Sequence, residues 1–329
     1  MNFAEFDIAA VIPAYKVERD LEAVLRGLPP YIKHIVVVDD ASPDSSAEIA
    51  AEAAKDDRRI VLIRHSKNQG VGGAMVSGFR KALELGAQIA VKLDGDGQMD
   101  PKHIPALVAP LIQGKADYVK GNRFRDFQAL RKMPFVRRVG NLGLSFLAKA
   151  ATGYWNIFDP TNGFFAVRAE ILRQLPLEQI DRGYFFETSM LANLYLIGAL
   201  AMDVPIPARY GNETSNLSVR RALLEFPFKL LYTFFRRILL RYYIYDFSMM
   251  SLYLLAGIPL LLFGGVFGAV KWIQYASANV PAPTGTVMLP TLSVILGIQI
   301  LLSAIEIDMN SAPRKPLTEA LENNVAVKA

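Results

Sequence analysis

Four short apolar runs, each closed by polar or turn-forming residues, organise the first hundred positions. Residues 8–12 stop at Pro13, residues 35–38 at Asp39 and Asp40, residues 60–63 at Arg64, and residues 89–93 at Asp94. Apolar runs of this length, broken only by Lys92 in the last, are what a strand buried on both faces requires. Between them lie helical patterns: residues 18–28, a segment opened by Ser42 as N-cap with Pro43 at the first helical position, and residues 71–85. Such alternation predicts an α/β fold with a mostly parallel, Rossmann-like sheet covered on both faces. Ligands then gather at the carboxyl ends of the strands, where Tyr15, Asp39, Asp40, Asn68, Asp94 and Asp96 all fall.

Past residue 120 the regularity loosens. Residues 120–138 hold seven basic side chains (Lys120, Arg123, Arg125, Arg131, Lys132, Arg137, Arg138) against one acid, Asp126. This is either a solvated loop or a basic rim facing phosphates. Asp159 to Gly163 reads as a turn and residues 164–167 as a strand. Residues 184–196 read as an amphipathic helix carrying Glu187, and residues 199–206 as a last strand.

The pattern changes near residue 215. Residues 216–246 mix six basic residues and two acids with many Leu, Phe and Tyr, the pattern of a helix lying in a membrane interface. Pro227 is expected to kink or divide it. Residues 247–270 then run 24 positions without a charge and residues 287–305 a further 19, each sufficient for the roughly 30 Å of a bilayer core. Pro259 and Pro290 are tolerable there. The connecting loop has one basic residue, Lys271, and the outer flanks have many, so the positive-inside rule puts both termini and the large domain in the cytoplasm. The expected division is a catalytic domain over 1–215, juxtamembrane helices over 216–246, a transmembrane hairpin over 247–309 and a cytoplasmic tail over 310–329. The expected location is the inner (plasma) membrane.

Composition narrows the chemistry. The 329 residues are 52% hydrophobic and 20% charged, which excludes a disordered chain. Without cysteine there are neither disulfides nor thiolate metal sites. Residues 1–7, acidic and without a long apolar run after a basic start, are not expected to be a signal peptide. His34, His65 and His103 lack metal-binding spacing and read as ordinary surface or strand-end residues. Gly70, Gly72 and Gly73 imitate a dinucleotide fingerprint with the wrong spacing, and are expected instead to bring a helix close to the sheet. No nucleic-acid partner is expected.

The stretch Asp94-Gly95-Asp96-Gly97-Gln98 carries the sharpest chemistry. Two carboxylates and an amide in a glycine-rich turn supply oxygen ligands for Mg or Mn, although a bare Asp-Gly-Asp can also be a polar turn ahead of a helix. Other pieces accompany it: Val11-Ile12-Pro13-Ala14-Tyr15 with Glu18, Val36-Val37-Val38-Asp39-Asp40-Ala41-Ser42, Asn68-Gln69-Gly70 and Gly121-Asn122-Arg123. In this order and spacing they resemble family 2 glycosyltransferases of the GT-A fold, in the branch of polyprenyl-phosphate (dolichyl-phosphate type) enzymes. The resemblance covers residues 7 to about 220.

The resemblance implies roles. Pro13, Tyr15, Glu18 and Asp40 would hold the base and ribose of a nucleotide sugar, with a UDP-sugar as the expected donor. Asp94 would orient donor and metal, and Asp96 with Gln98 would bind the cation bridging the diphosphate. Arg123, Arg137, Arg138 and Arg209 would meet the phosphates, including that of an undecaprenyl phosphate acceptor. Asp159 would either lie near the sugar or close an Asx-type turn, and Glu187 would either contact a sugar hydroxyl or be a buried helix partner. Lys16 stands where the family often has Asn, and Asn216 where a lysine is common. The Gln–Arg-Trp signature of processive polysaccharide synthases is absent, which points to transfer of a single sugar. Two rivals remain: transfer to a sugar hydroxyl, with Asp159 as general base, and a non-catalytic membrane-anchored nucleotide-sugar binder. A tetramer built through the hairpin is expected from the resemblance alone.

Overall fold

A computed structural model describes residues 1–123, 135–159, 162–207 and 219–326; the side chains of 135–139, 141–142, 219–224 and 322–326 are outside the description. The chain forms two units, Met1–Phe235 with Ala312–Ala329, and Arg236–Ser311.

In the first unit β1 (Ile8–Ala14), α1 (Leu21–Arg26), β2 (Ile32–Asp39), α2 (Ser46–Asp56), β3 (Ile60–Arg64), α3 (Gly70–Glu84) and β4 (Ile89–Lys92) alternate as the sequence predicts. They are followed by α4 (Ile104–Ile112), β5 (Tyr118–Asn122), α5 (Phe135–Thr152), β6 (Phe165–Arg168), α6 (Ala169–Gln174), α7 (Phe186–Leu196), β7 (Ala201–Pro205) and α8 (Val219–Leu239). The strands make one seven-stranded sheet in the order β3-β2-β1-β4-β6-β5-β7. All pairings are parallel except those of β6, which is antiparallel to both β4 and β5. Lys92, Phe165 and Lys120 lie in one row across β4, β6 and β5, so β6 starts at the edge where its neighbours end. Strand β6 is thus entered from the carboxyl edge and must run in reverse of its neighbours.

Side chains alternate between two cores. Val11, Val36 and Val38 pack with Phe79 of α3 and Phe186 of α7 on one face, while Ile12, Val37 and Val119 pack with Leu21 of α1 and Leu107 of α4 on the other. Several local expectations change. Helix α2 starts at Ser46, not behind Ser42 and Pro43, because Ser42 turns back to accept from the Lys16 amide at 2.8 Å. Helix α7 is buried on all sides rather than amphipathic. Gly70 and Gly72 do not seat α3 on the sheet; added Cβ atoms there would meet the backbone oxygens of Arg182 and Asp181 at 2.4 and 2.0 Å, so they admit the 181–183 loop.

The first unit also contains the end of the chain. Helix α11 (Leu317–Ala326) starts on Asp117, whose fully buried carboxylate accepts from the amides of Leu317 (2.6 Å) and Thr318 (3.2 Å), the Thr318 hydroxyl (2.8 Å) and the Leu200 amide (2.7 Å). The carboxylate satisfies helix N-terminal donors that would otherwise be orphaned.

Helix α8 passes through Pro227 without dividing. It passes into a π-helical turn, Leu240–Tyr245. The second unit then holds α9 (Met249–Ser277) and α10 (Thr284–Asn310), both long and apolar enough to cross a membrane, with mean hydropathies of 2.0 and 2.1. Only 11% and 17% of their most apolar windows is buried, so their leucines and phenylalanines face outward, unlike those of a core helix. The two helices meet closely at Gly264 and Gly297, where a Cβ would lie 2.8 Å from the opposing backbone. At their base Asp308 accepts from Arg237 Nη1 (2.6 Å), Arg237 Nη2 (2.9 Å) and the Tyr242 hydroxyl (2.7 Å), all buried.

Candidate active site

Because β1, β2, β3, β4, β5 and β7 run in the same direction, Tyr15, Asp39, Asp40, His65, Asp94 and Arg123 all follow strand ends on one edge. Asp159 and Asn162 join them from the segment leading into β6.

At one end of this edge the loops after β1 and β2 are tied together. Asp44 accepts from the hydroxyls of Ser42 and Ser46, each at 2.6 Å, and from the amides of Ser46 and Glu18. Burial pulls the Asp44 pKa up, yet these four donors outweigh it and hold the carboxyl below its usual range. Glu18 answers by accepting from the Ser45 amide at 3.1 Å. Lys16 sits at φ +58°, the left-handed region that Asn tolerates best among residues with a side chain. The departure from Asn at this position is therefore a departure in backbone fit. Tyr15 stands exposed beside this loop and Pro13 is half-buried.

Asp40 is engaged from within. Its Oδ1 accepts from the Gln69 amide (2.8 Å) and lies 2.7 Å from His65 Nδ1; its Oδ2 accepts from the Gly70 amide at 2.8 Å. An ionised carboxylate only accepts, so Nδ1 carries the proton. Nε2 lies 2.9 Å from the Ser77 hydroxyl. His65 is therefore a strand-end residue, as one of the two expected readings has it, but its side chain is a buried link between β3 and α3 and not an ordinary surface one. Neighbouring Asp39 accepts only one of these loop amides, that of Ser42 at 3.1 Å, and burial raises its pKa.

In the loop after β4, Asp94 and Asp96 are half-buried and Gln98 is exposed. Asp96 Oδ1 accepts from the Gln98 amide at 3.1 Å, and the turn closes through Gly97 at φ +73°, a conformation glycine adopts at little cost. Among the described residues no three His, Cys, Asp or Glu side chains cluster as a metal cage. Two carboxylates and one amide fit a hard cation that takes its remaining oxygens from phosphates.

Behind this loop lies a buried set of opposite charges. Lys92, 1% exposed, donates to Asp94 Oδ1 at 2.6 Å and lies 3.5 Å from Glu187 Oε1. Burial alone would depress its pKa, but Asp94 and Glu187 more than reverse the effect. Gly163 permits the arrangement, since a Cβ there would stand 2.4 Å from Lys92 Nζ. On the other side Arg123 grips Asp159 as a fork, Nε to Oδ2 at 2.8 Å and Nη2 to Oδ1 at 3.1 Å. The Asp159 side chain is fully buried and that of Arg123 is 38% exposed. Asp159 is thus an ion-pair partner, beyond the Asx-type turn its place before Pro160 indicates.

Lys120, grouped by sequence with a basic rim, is instead fully buried in β5. Strand alternation gives the signal: it is inward in phase with Tyr118. Sequence reasoning also passed over Lys92 and Asp44; serines two residues to either side of Asp44 are the signature of a hydroxyl-capped turn. Arg137 and Arg138 lie on α5, with side chains outside the described residues, and Arg209 lies outside them altogether.

The seven-stranded sheet with its acidic loop after the fourth strand defines a GT-A-type glycosyltransferase. Residues 9–175 match the family described as Glycosyl transferase family 2, and the chain belongs to that family. It is 35% identical over 181 residues to the UDP-N-acetylglucosamine–dolichyl-phosphate N-acetylglucosaminyltransferase of Methanococcus voltae, covering 51% of this chain and 72% of that one. It is 31% identical over 202 residues to the undecaprenyl-phosphate mannosyltransferase of Micrococcus luteus, covering 60% and 82%. The fold is shared with glucosyl-3-phosphoglycerate synthase from Mycobacterium tuberculosis bound to UDP, at a TM-score of 0.54 and 20% identity, over 71% of this chain and 80% of that chain.

Proposed function

We propose that the protein transfers one hexose from a UDP-sugar to undecaprenyl phosphate at the cytoplasmic face of the membrane, with inversion and with the help of Mg or Mn. The observation that carries this reading is the pairing on one sheet edge of an acidic metal-type loop, Asp94 to Gln98, with the Arg123 guanidinium. Relatives named for dolichyl and undecaprenyl phosphate support the acceptor class. The same enzyme of M. tuberculosis crystallised with Mn2+ and UDP-glucose supports the donor class and the cation.

Pro13, Tyr15 and Glu18 line the base and ribose end. Asp40 shapes that wall through the 69–70 backbone, which leaves Asp39 as the carboxylate for a uracil or ribose donor. Asp96 and Gln98 would hold the cation and Asp94 would orient it and the sugar; when bound, such a cation would supply electrostatic stabilisation of a departing diphosphate. Arg123, with Arg137, Arg138 and Arg209, receives the acceptor phosphate, and Glu187 serves as the buried helix partner of Lys92. A lipid phosphate is already anionic, so no general base is required. Transfer to a hydroxyl would need one, and Asp159, buried with both oxygens on a guanidinium, is poorly placed for that duty.

The hairpin would anchor the protein to the bilayer. That Ala312–Ala329 belongs to the same unit as the catalytic sheet supports a hairpin with both ends on one side of the membrane. The basic flanks support the cytoplasm as that side. A tetramer through the hairpin completes the proposal. The test is a panel of radiolabelled nucleotide sugars with short-chain polyprenyl phosphate, followed by NMR of the product anomer. A lipid-linked product of inverted configuration is expected; retention refutes single displacement.

A further inference from the structure

Lys92 ends β4, and strand alternation turns its side chain to the same face as Ala90, where α7 packs through Phe186. There the ammonium meets two carboxylates from different elements. It donates to Asp94 Oδ1 at 2.6 Å and lies 3.5 Å from Oε1 of Glu187, in the first turn of α7. The lysine is buried, while the Asp94 side chain reaches the surface at 30% exposure. Gly163, two residues before β6, closes the arrangement: a Cβ there would stand 2.4 Å from Lys92 Nζ and 3.0 Å from Asp94 Oδ2. Lys92 therefore engages one oxygen of Asp94, and the other faces the space that Gly163 leaves.

A buried lysine shared by two acids is a poor device for stabilising a core, since apolar side chains of the same volume commonly do as well or better. What it does supply is a fixed carboxylate. Asp94 lies past the last residue of β4, and its amide donates to the Met99 sulfur at 3.3 Å, a weak acceptor. Asp96 is tied within its own turn, accepting from the Gln98 amide at 3.1 Å. The Asp94 carboxylate takes its tie from the strand behind it, through a charge-assisted hydrogen bond, the strong kind. Carboxylates that bind metals are commonly held in this way by a neighbour. As a bare charge, Lys92 would repel a cation beside Asp94. Its presence there makes sense if what it gains in orientation exceeds what it loses in repulsion.

We infer that Lys92 is a positioning residue for the cation loop: anchored on Glu187, it pins Asp94 by Oδ1 and leaves Oδ2 for the cation or the sugar. The inference rests on the reading of Asp94 to Gln98 as a cation site. Glu187 then acts through Lys92 and not on the substrate. Neither bond making nor proton transfer is assigned to either residue.

The test is Mn2+ binding to the full-length protein in detergent with UDP in excess, read from the EPR signal of the free ion, with thermal unfolding measured alongside. Lys92→Met removes the pin and a positive charge together, so the two roles predict opposite signs. Loss of position should weaken Mn2+ binding roughly 10- to 100-fold. Loss of a repelling charge alone would tighten it, and a packing role alone would lower Tm with binding unchanged. Gly163→Ala alters no charge but drives a methyl group into the space of the ammonium, and should also weaken Mn2+ binding. The double variant should bind no more weakly than Lys92→Met, because both changes act through one contact. Should Lys92→Met fail to fold, Gly163→Ala decides. Unchanged or tighter binding in either folded variant, or losses that simply add in the double variant, overturns the inference. Asp96→Asn is the separate arm: if it binds Mn2+ as the wild type does, the cation reading of the loop fails, whatever the Lys92 variants show.

Discussion

Arg123 and Asp159 form a two-pronged ion pair in which the acid is fully buried and the base is 38% exposed. A planar fork matched to a carboxylate is equally matched to a phosphate, and a lysine supplies only a point charge. Arg123→Lys should therefore raise the KM for polyprenyl phosphate and lower kcat/KM by roughly 10- to 100-fold while leaving donor binding near its original strength. Asp159→Asn should weaken turnover without abolishing it, since the carboxylate has no proton to remove. Steady-state kinetics with each substrate varied in turn reads both.

Lys16 holds a left-handed backbone conformation at φ +58° and donates its amide to Ser42. A lysine there is strained relative to asparagine or glycine. Lys16→Gly should raise stability by about 0.5–1 kcal/mol, and Lys16→Asn by somewhat less. Thermal unfolding of the purified protein should register this as an increase in Tm.

Asp117 binds the end of the chain to the sheet through the Leu317 and Thr318 donors. An Asp117→Asn amide would present N–H groups to backbone N–H groups. The expected loss is about 1–3 kcal/mol, concentrated in the attachment of α11. Limited proteolysis should then cut the segment after residue 311 faster than in the wild type, with the sheet itself still protected.

Burial brings the Lys120 pKa down from its ordinary value to about 8, with Glu187 and Asp159 offsetting part of the effect. From there up to the ordinary lysine range the unfolded chain binds a proton that the folded one does not. Stability therefore rises with pH across that window, by up to about 3 kcal/mol. Below it Lys120 is charged in both states and its contribution to the slope vanishes. Chemical denaturation between pH 7 and 10 should show wild type gaining stability relative to Lys120→Met.

The alternating strands and helices up to β4 were legible because each strand is built on a short apolar run, and the acidic loop was legible because it follows one. The reversal of β6 was not: residues 164–167 look the same whichever way they run, and direction depends on where the preceding segment ends. Ser42 and Pro43 carried a valid helix-start pattern, yet Ser42 pairs with Lys16 across the cleft, a contact 26 residues distant in sequence. Lys92 and Lys120 were read as surface charges or passed over because their partners, Asp94 apart, come from remote segments. The return of residues 312–329 to the sheet is likewise invisible without Asp117, some 200 positions earlier.

The reading as a whole turns on a phosphate acting as the nucleophile beside a cation held at Asp96. The direct measurement is transfer of labelled sugar from its UDP donor to three acceptors of equal chain length: polyprenyl phosphate, the phosphate-free polyprenol, and a polyprenyl-linked sugar with a free hydroxyl. Each is run with Mg or Mn and again after chelation, for the wild type and Asp96→Asn. Label should appear on the polyprenyl phosphate alone and vanish on chelation, with Asp96→Asn reduced at least about 100-fold. Label on the hydroxyl acceptor in preference to the phosphate, or full activity without a divalent cation, would contradict it.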